Sequence, residues 1–128
     1  MKKVLFIFLS FMAGSCQLFT QNESVKLNSE AFKVEISKAN VQLVDVRKPD
    51  EFATSHLKNA KNLNYFSESF ADNVKLLDTT APVFIYCRSG KRSAKSVSVF
   101  KEAGFETIYE LEGGILNWNN SHLKTTSE

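Results

Sequence analysis

The sequence predicts an α/β domain in which a mostly parallel sheet is covered by helices on both faces. Three observations carry that expectation. Short β-branched apolar runs alternate along the chain with segments of helical periodicity. The 128 residues suffice for one core and are too few for two. The strongest apolar run, Val83-Phe84-Ile85-Tyr86, breaks at Cys87 into a cationic, glycine-containing loop and then a helix start. In parallel sheets that junction is where ligands are met.

The amino end has its own logic. MKKVLFIFLSFMAGSC places Lys2 and Lys3 before an apolar run from Val4 to Ala13, followed by small residues and Cys16. This is the layout of a secretory signal, too short to span a bilayer as a permanent helix. Residues 1–15 are therefore expected to be a signal peptide. Ala13-Gly14-Ser15 suits ordinary signal peptidase, while Gly14-Ser15-Cys16 resembles the box at which bacterial lipoproteins are cut and lipidated on the cysteine. Cys16 is the expected lipidation site and lipid anchor. The mature protein is then exported, either periplasmic or held to a membrane as a lipoprotein.

With Cys16 acylated, Cys87 is the one remaining thiol and no intramolecular disulfide can form. The other reading, a Cys16–Cys87 bridge, would tie a tail to the end of a core strand. Loss of the leader also removes both lysines, leaving fourteen basic side chains against fourteen acidic ones. A near-neutral domain has no global field for nucleic acid or an anionic membrane.

Residues 16–27 read as a tether, the domain as 28–123, and residues 124–128 as a tail. Ser29 is placed to cap a helix running to about Lys38. Val41 to Val46 is a short buried strand ending at Arg47. Lys48-Pro49-Asp50 turns the chain into a short helix through Glu51, Phe52 and Ala53, with Pro49 suited to the first turn. Ala60 to Leu63 is a further strand, and Ser67 to Leu77 a helix with Phe70, Val74 and Leu77 on one face. Pro82 ends that helix and opens the Val83–Tyr86 strand. Ser93 to Ala103 follows as a helix with Ala94, Val97 and Phe100 aligned, and Gly104 stands where a left-handed terminator is wanted. Thr107 to Leu111 is the next strand; Gly113-Gly114 then turns into a helix carrying Leu116 and Trp118. No apolar stripe demands a partner chain, so a monomer is expected.

The chemistry concentrates at Cys87. An ordinary thiol titrates near 8.5, so only a few per cent is nucleophilic at neutral pH. Arg88, Lys91 and Arg92 are within five positions of it, and the amino end of a helix lies just beyond. Each favours negative charge, so a thiolate is expected. Gly90 permits a positive φ, which lets successive backbone N–H groups of the loop turn inward at the sulfur as an anion cradle. The expected substrate is a small anion, or one that leaves the sulfur negatively charged.

Cys87-Arg88-Ser89-Gly90-Lys91-Arg92-Ser93 resembles the active-site loop of the rhodanese family of sulfurtransferases in its single-domain form. Val44-Asp45-Val46-Arg47 with Glu51-Phe52, His56-Leu57, Ala60 and Asn62-Leu63 agrees with it, as does Leu111-Glu112-Gly113-Gly114 with Trp118. The resemblance runs from Val41 to Trp118 and implies a single rhodanese-like domain on a five-stranded sheet. It further implies that Cys87 takes the outer sulfur of thiosulfate or a related donor, expels sulfite, and passes the sulfur as a persulfide to cyanide or a thiol. Arg88 and Arg92 would position the dianion, Ser89, Gly90 and Ser93 would line the cradle, and Lys91 would add field. Asp45, Arg47, Glu51 and His56 are structural in this reading: Asp45 and Arg47 tie the strand end to the next helix, Arg47 pairs with Glu51, and His56 is a hydrogen-bonded structural histidine. The chain departs from the family at Ser55, Lys58 and Asn59, around a turn away from the loop.

Two other readings stand beside this one. A tethered redox-sensing or binding module could use the same activated thiol. A phosphatase also sets a cysteine and an arginine around a loop, but in its usual form with one more residue between them than the four here, Arg88 to Lys91. The shorter loop fits one sulfur atom better than a tetrahedral phosphate. His56, Cys87 and His122 do not fall at a metal-ligand spacing, so neither metal nor cofactor is expected.

Overall fold

The computed structural model describes residues 24–128. The expected signal peptide, Cys16 and most of the expected tether lie outside the described residues. Ten elements follow in order: β1 (Val25–Leu27), α1 (Ser29–Ile36), β2 (Gln42–Asp45), α2 (Pro49–Thr54), β3 (Lys61–Asn62), α3 (Phe70–Lys75), β4 (Val83–Tyr86), α4 (Lys91–Ala103), β5 (Ile108–Leu111) and α5 (Gly114–Asn120). The five strands form one sheet in the order β1-β5-β4-β2-β3, and every pairing is parallel. This is the five-stranded α/β architecture expected, parallel throughout rather than mostly so.

Two-residue periodicity splits the core into two layers. On one face Val44, Val46, Val83 and Ile85 pack with Phe70 and Val74 of α3 and Val97 and Phe100 of α4. On the other, Leu43, Phe84, Tyr86 and Leu111 pack with Phe32 of α1 and with Ile115 and Trp118 of α5. Cys87 continues the Val83 and Ile85 face, so its side chain turns toward α4. β4 lies in the middle of the sheet and is buried at all four positions, which is why its sequence is continuously apolar.

Several boundaries differ from expectation for local reasons. Val25–Leu27, expected in the tether, is a strand paired with β5. Asn28, not Ser29, caps α1, accepting from the Ala31 N–H at 2.9 Å. α3 starts at Phe70 rather than Ser67 because Ser67 Oγ takes the Ser69 N–H at 3.2 Å, a side-chain bond that competes with helix. α4 starts at Lys91, two residues before Ser93, with Gly90 as its cap. Gly104 terminates α4 at φ +111°, as the sequence indicates.

Residues 124–128, expected as a tail, are tied to the domain. His56 and Thr126 exchange two backbone hydrogen bonds of 2.8 Å, and Trp118 Nε1 donates to Lys124 O at 3.0 Å.

Candidate functional site

The parallel sheet brings the carboxyl ends of β2, β4 and β5 to one edge, and the residues just past those ends make the site. Cys87 follows β4 and is 1% exposed. Its Sγ accepts the Gly90 N–H at 3.0 Å and lies 3.6 Å from Ser93 Oγ, which also reaches Gly90 O at 3.1 Å. Gly90 has φ +98°, and that left-handed turn folds the loop back over the sulfur. Arg88, Ser89 and Lys91 are exposed, Gly90 and Arg92 half-buried, and Ser93 buried.

The outer side of the loop is fastened to α5. Cys87 O accepts the Ile115 N–H at 2.9 Å, and Arg88 O accepts the Leu116 N–H at 3.1 Å. Because C=O and N–H point oppositely across a planar trans peptide, these bonds turn the Arg88 and Ser89 N–H groups away from α5. Such an approach requires Gly114: a Cβ there would sit 2.3 Å from Arg88 O and 2.5 Å from Cys87 O, and its φ is already +64°. Gly114→Ala is expected to cost at least about 2 kcal/mol in a urea titration, from the left-handed backbone plus the clash. It should also change the rate at which Cys87 is alkylated, since the loop or α5 must shift.

Past β2, Asp45 and Arg47 form a buried clamp. Asp45 is fully buried and Arg47 5% exposed. Arg47 Nε lies 3.0 Å from both Asp45 oxygens, Nη2 donates to Oδ2 at 2.7 Å, and the same Nη2 donates to Ser55 O at 2.6 Å. Burial works against the charge on Arg47, but the hydrogen bonds and charge of Asp45 outweigh it and the pKa is raised. The Tyr86 hydroxyl receives the Leu57 N–H at 3.0 Å; burial first, then the Asp45 carboxylate, hold it protonated well above its ordinary range. Asn62 Nδ2 donates to Asp45 O and Arg47 O at 3.0 and 2.9 Å, locking β3 to the clamp.

The expected Arg47–Glu51 ion pair is not what forms. Arg47 is taken by Asp45, and Glu51 instead makes a two-point contact with Arg92, Nη1–Oε1 at 2.6 Å and Nη2–Oε2 at 3.0 Å. The physical reason is placement: Asp45 is already buried opposite Arg47, and the first turn of α2 faces the first turn of α4. Arg92's hydrogen bond, with its charge, holds the Glu51 carboxyl below the usual carboxylate range. Glu51 in turn raises Arg92, to which the nearby Cys87 adds. The face of Phe66 lies 6.0 Å from the Arg92 guanidinium and 5.7 Å from Lys48 Nζ.

His56 is structural in its contacts: Nδ1 is 2.8 Å from Phe52 O, Nε2 is 3.0 Å from Glu128 O, and its ring stacks on Phe52 at 3.7 Å. A groove of about 270 Å³ opens beside Arg88, lined also by Arg47, Glu51, Ser55 and Leu116. Tyr86 and Phe66 take part in these contacts without having been named as site residues in the sequence, and Asn62 was named only as part of the resemblance. Tyr86 could have been: it is the one hydroxyl in an otherwise apolar buried strand and needs a partner. Phe66, an exposed aromatic beside Tyr65, gives no such signal.

Comparison with known proteins agrees with this construction. Residues 28–121 match the family described as the Rhodanese-like domain. A Bacillus subtilis protein, YqhL, is 31% identical over 117 residues, covering 90% of each chain. Thiosulfate sulfurtransferase GlpE of Pseudomonas aeruginosa is 31% identical over 86 residues, 67% of this chain and 76% of the relative. Among solved structures, a rhodanese-like domain protein of Staphylococcus aureus superposes with a TM-score of 0.64 at 28% identity, covering 73% of this chain and 90% of that one. A rhodanese-related protein of Thermoplasma volcanium reaches 0.71 at 24% identity, covering 81% and 99%, and speaks to the fold alone. Since the matched segment holds the Cys87 loop, the Asp45–Arg47 clamp and the α5 buttress together, the chain belongs to the rhodanese-like domain family.

Proposed function

We propose that the protein is a sulfurtransferase that carries a sulfane sulfur on Cys87. The observation that carries this reading is the Cys87 Sγ itself: buried at the end of β4, cupped by the loop, with the Gly90 N–H already at 3.0 Å. The likeness to thiosulfate sulfurtransferase GlpE supports it.

In the first half-reaction the Cys87 thiolate attacks the outer sulfur of thiosulfate. The S–S bond of thiosulfate breaks, its electron pair leaves with sulfite, and Cys87 becomes a persulfide. In the second, cyanide or a thiolate attacks the terminal sulfur, and the thiolate of Cys87 is regenerated. Loop amides offer hydrogen bonds to the terminal sulfur without reorganisation. Arg88, at the rim of the groove, meets the incoming anion; Lys91 contributes charge in solvent, where it is screened. With Cys16 acylated, the reaction would take place outside the cytoplasm, at a membrane surface.

Treatment of the purified protein with thiosulfate, without reductant, tests the proposal by intact mass. A gain of one sulfur atom, removed by cyanide with release of thiocyanate, is the expected result. An unchanged mass with Cys87 still open to alkylation would reject thiosulfate as donor and favour the redox-sensing module.

A further inference from the structure

We propose that Glu51 is an internal counter-ion that competes with the sulfur donor for Arg92, and thereby sets how far the Cys87 loop favours donors of low charge over a dianion. The inference deepens the sulfurtransferase reading and rests on it for the identity of the donor.

Of the three cations around Cys87, Arg88 and Lys91 are exposed, so water and salt weaken their pull on an anion. Arg92 is different. Its side chain is 18% exposed, and it stands on the first turn of α4, where the Cys87 loop ends, five residues from Cys87. It is the cation placed to act through the lower dielectric of the site. Yet both of its terminal nitrogens are occupied by Glu51 at 2.6 and 3.0 Å. Glu51 is itself held in place: it is the third residue of α2, behind Pro49, and Oε1 lies 3.5 Å from the Lys48 N–H.

A guanidinium has five N–H donors, so two bonds to Glu51 leave Arg92 able to receive a second anion. That anion then meets the fixed negative charge of Glu51. Coulomb repulsion is linear in charge, so Glu51 penalises a dianion about twice as much, in free energy, as a monoanion of similar position. Thiosulfate is a dianion, and donors carrying their sulfane sulfur on a singly charged group escape half the penalty. Glu51 is thus a positioning residue, acting on the donor through Arg92.

The test uses anions that need no chemistry. Protection of Cys87 from iodoacetamide is measured against sulfate and against nitrate, at constant ionic strength, in the unchanged protein and in Glu51→Gln. Gln keeps the size of the side chain and an oxygen for the Lys48 N–H. Sulfate protection is expected at about three- to tenfold lower concentration in the variant. For nitrate the improvement should be only about the square root of that factor. The KM for thiosulfate should fall in step with the sulfate constant. Adding Arg92→Gln to Glu51→Gln should abolish the gain. If Glu51→Gln fails to fold, Glu51→Ser removes the charge with a residue that suits a first helical turn.

Equal change for sulfate and nitrate, no change for either, no protection in either protein, or a gain that survives loss of Arg92 would each overturn the proposal. A purely structural role for Glu51 would move both anions alike. Absence of sulfur loading from thiosulfate in the unchanged protein overturns the sulfurtransferase reading alone, because sulfate protection does not depend on transfer.

Discussion

Replacing Cys87 with serine is expected to abolish sulfur loading while leaving the fold intact. The hydroxyl is close in shape, occupies the same buried position, and can still accept the Gly90 N–H that now reaches Sγ at 3.0 Å. What it lacks is chemistry. A serine oxygen has no base beside it among the loop residues, and the proposed reaction needs a thiolate to attack a soft sulfur centre. Thiocyanate formation from thiosulfate and cyanide should fall by at least about a thousandfold in kcat/KM. The urea midpoint should move little. A mass gain that persisted in Cys87→Ser would place the sulfur carrier elsewhere and remove the central claim.

The largest effect on stability is expected from Asp45→Ala. The substitution leaves the Arg47 guanidinium, 5% exposed, with the backbone Ser55 O as its remaining hydrogen-bond acceptor and only the Arg92-bound Glu51 carboxylate to offset its charge. Removing one partner of a buried ion pair costs about 3–5 kcal/mol, against a total stability of about 5–15 kcal/mol for an ordinary domain. Urea titration should therefore show a midpoint lowered by about a fifth or more. The double variant Asp45→Ala with Arg47→Met should recover part of the loss, since no lone charge is then buried. If the single substitution is neutral, the clamp does not contribute as its geometry indicates.

How far the site could be read from sequence depends on whether its signals are local. β4 was legible because a strand buried on both faces is apolar at every position, and its end is marked by an abrupt change to cations and Gly90. The close of α4 was legible for the same kind of reason, since Gly104 supplies a backbone angle that other residues resist. Partner choice was not. Along the chain Arg47 and Glu51 are neighbours on a helical spacing, whereas Glu51 and Arg92 are 41 positions apart and meet only once α2 and α4 start at the same edge of the sheet. The hold of α5 on the loop was likewise hidden, because it runs through the carbonyls of Cys87 and Arg88 and leaves its only trace in Gly114. β1 escaped because three residues, two of them exposed, carry too little pattern to stand out from a polar segment.

That short strand has a consequence for how the protein behaves in company. β1 covers the outer side of β5, and its own outward face offers only three residues, with Lys26 in the middle; the opposite border, β3, is two residues long and begins with Lys61. An unpaired strand is a template for another chain, and brevity with a lysine at the rim discourages such growth. A version of the protein that began at Asn28 would bare Ile108-Tyr109-Glu110-Leu111, a longer and more apolar border beside the reactive loop. The residues that look like a leash are thus also what keeps one molecule's sheet from being continued by the next.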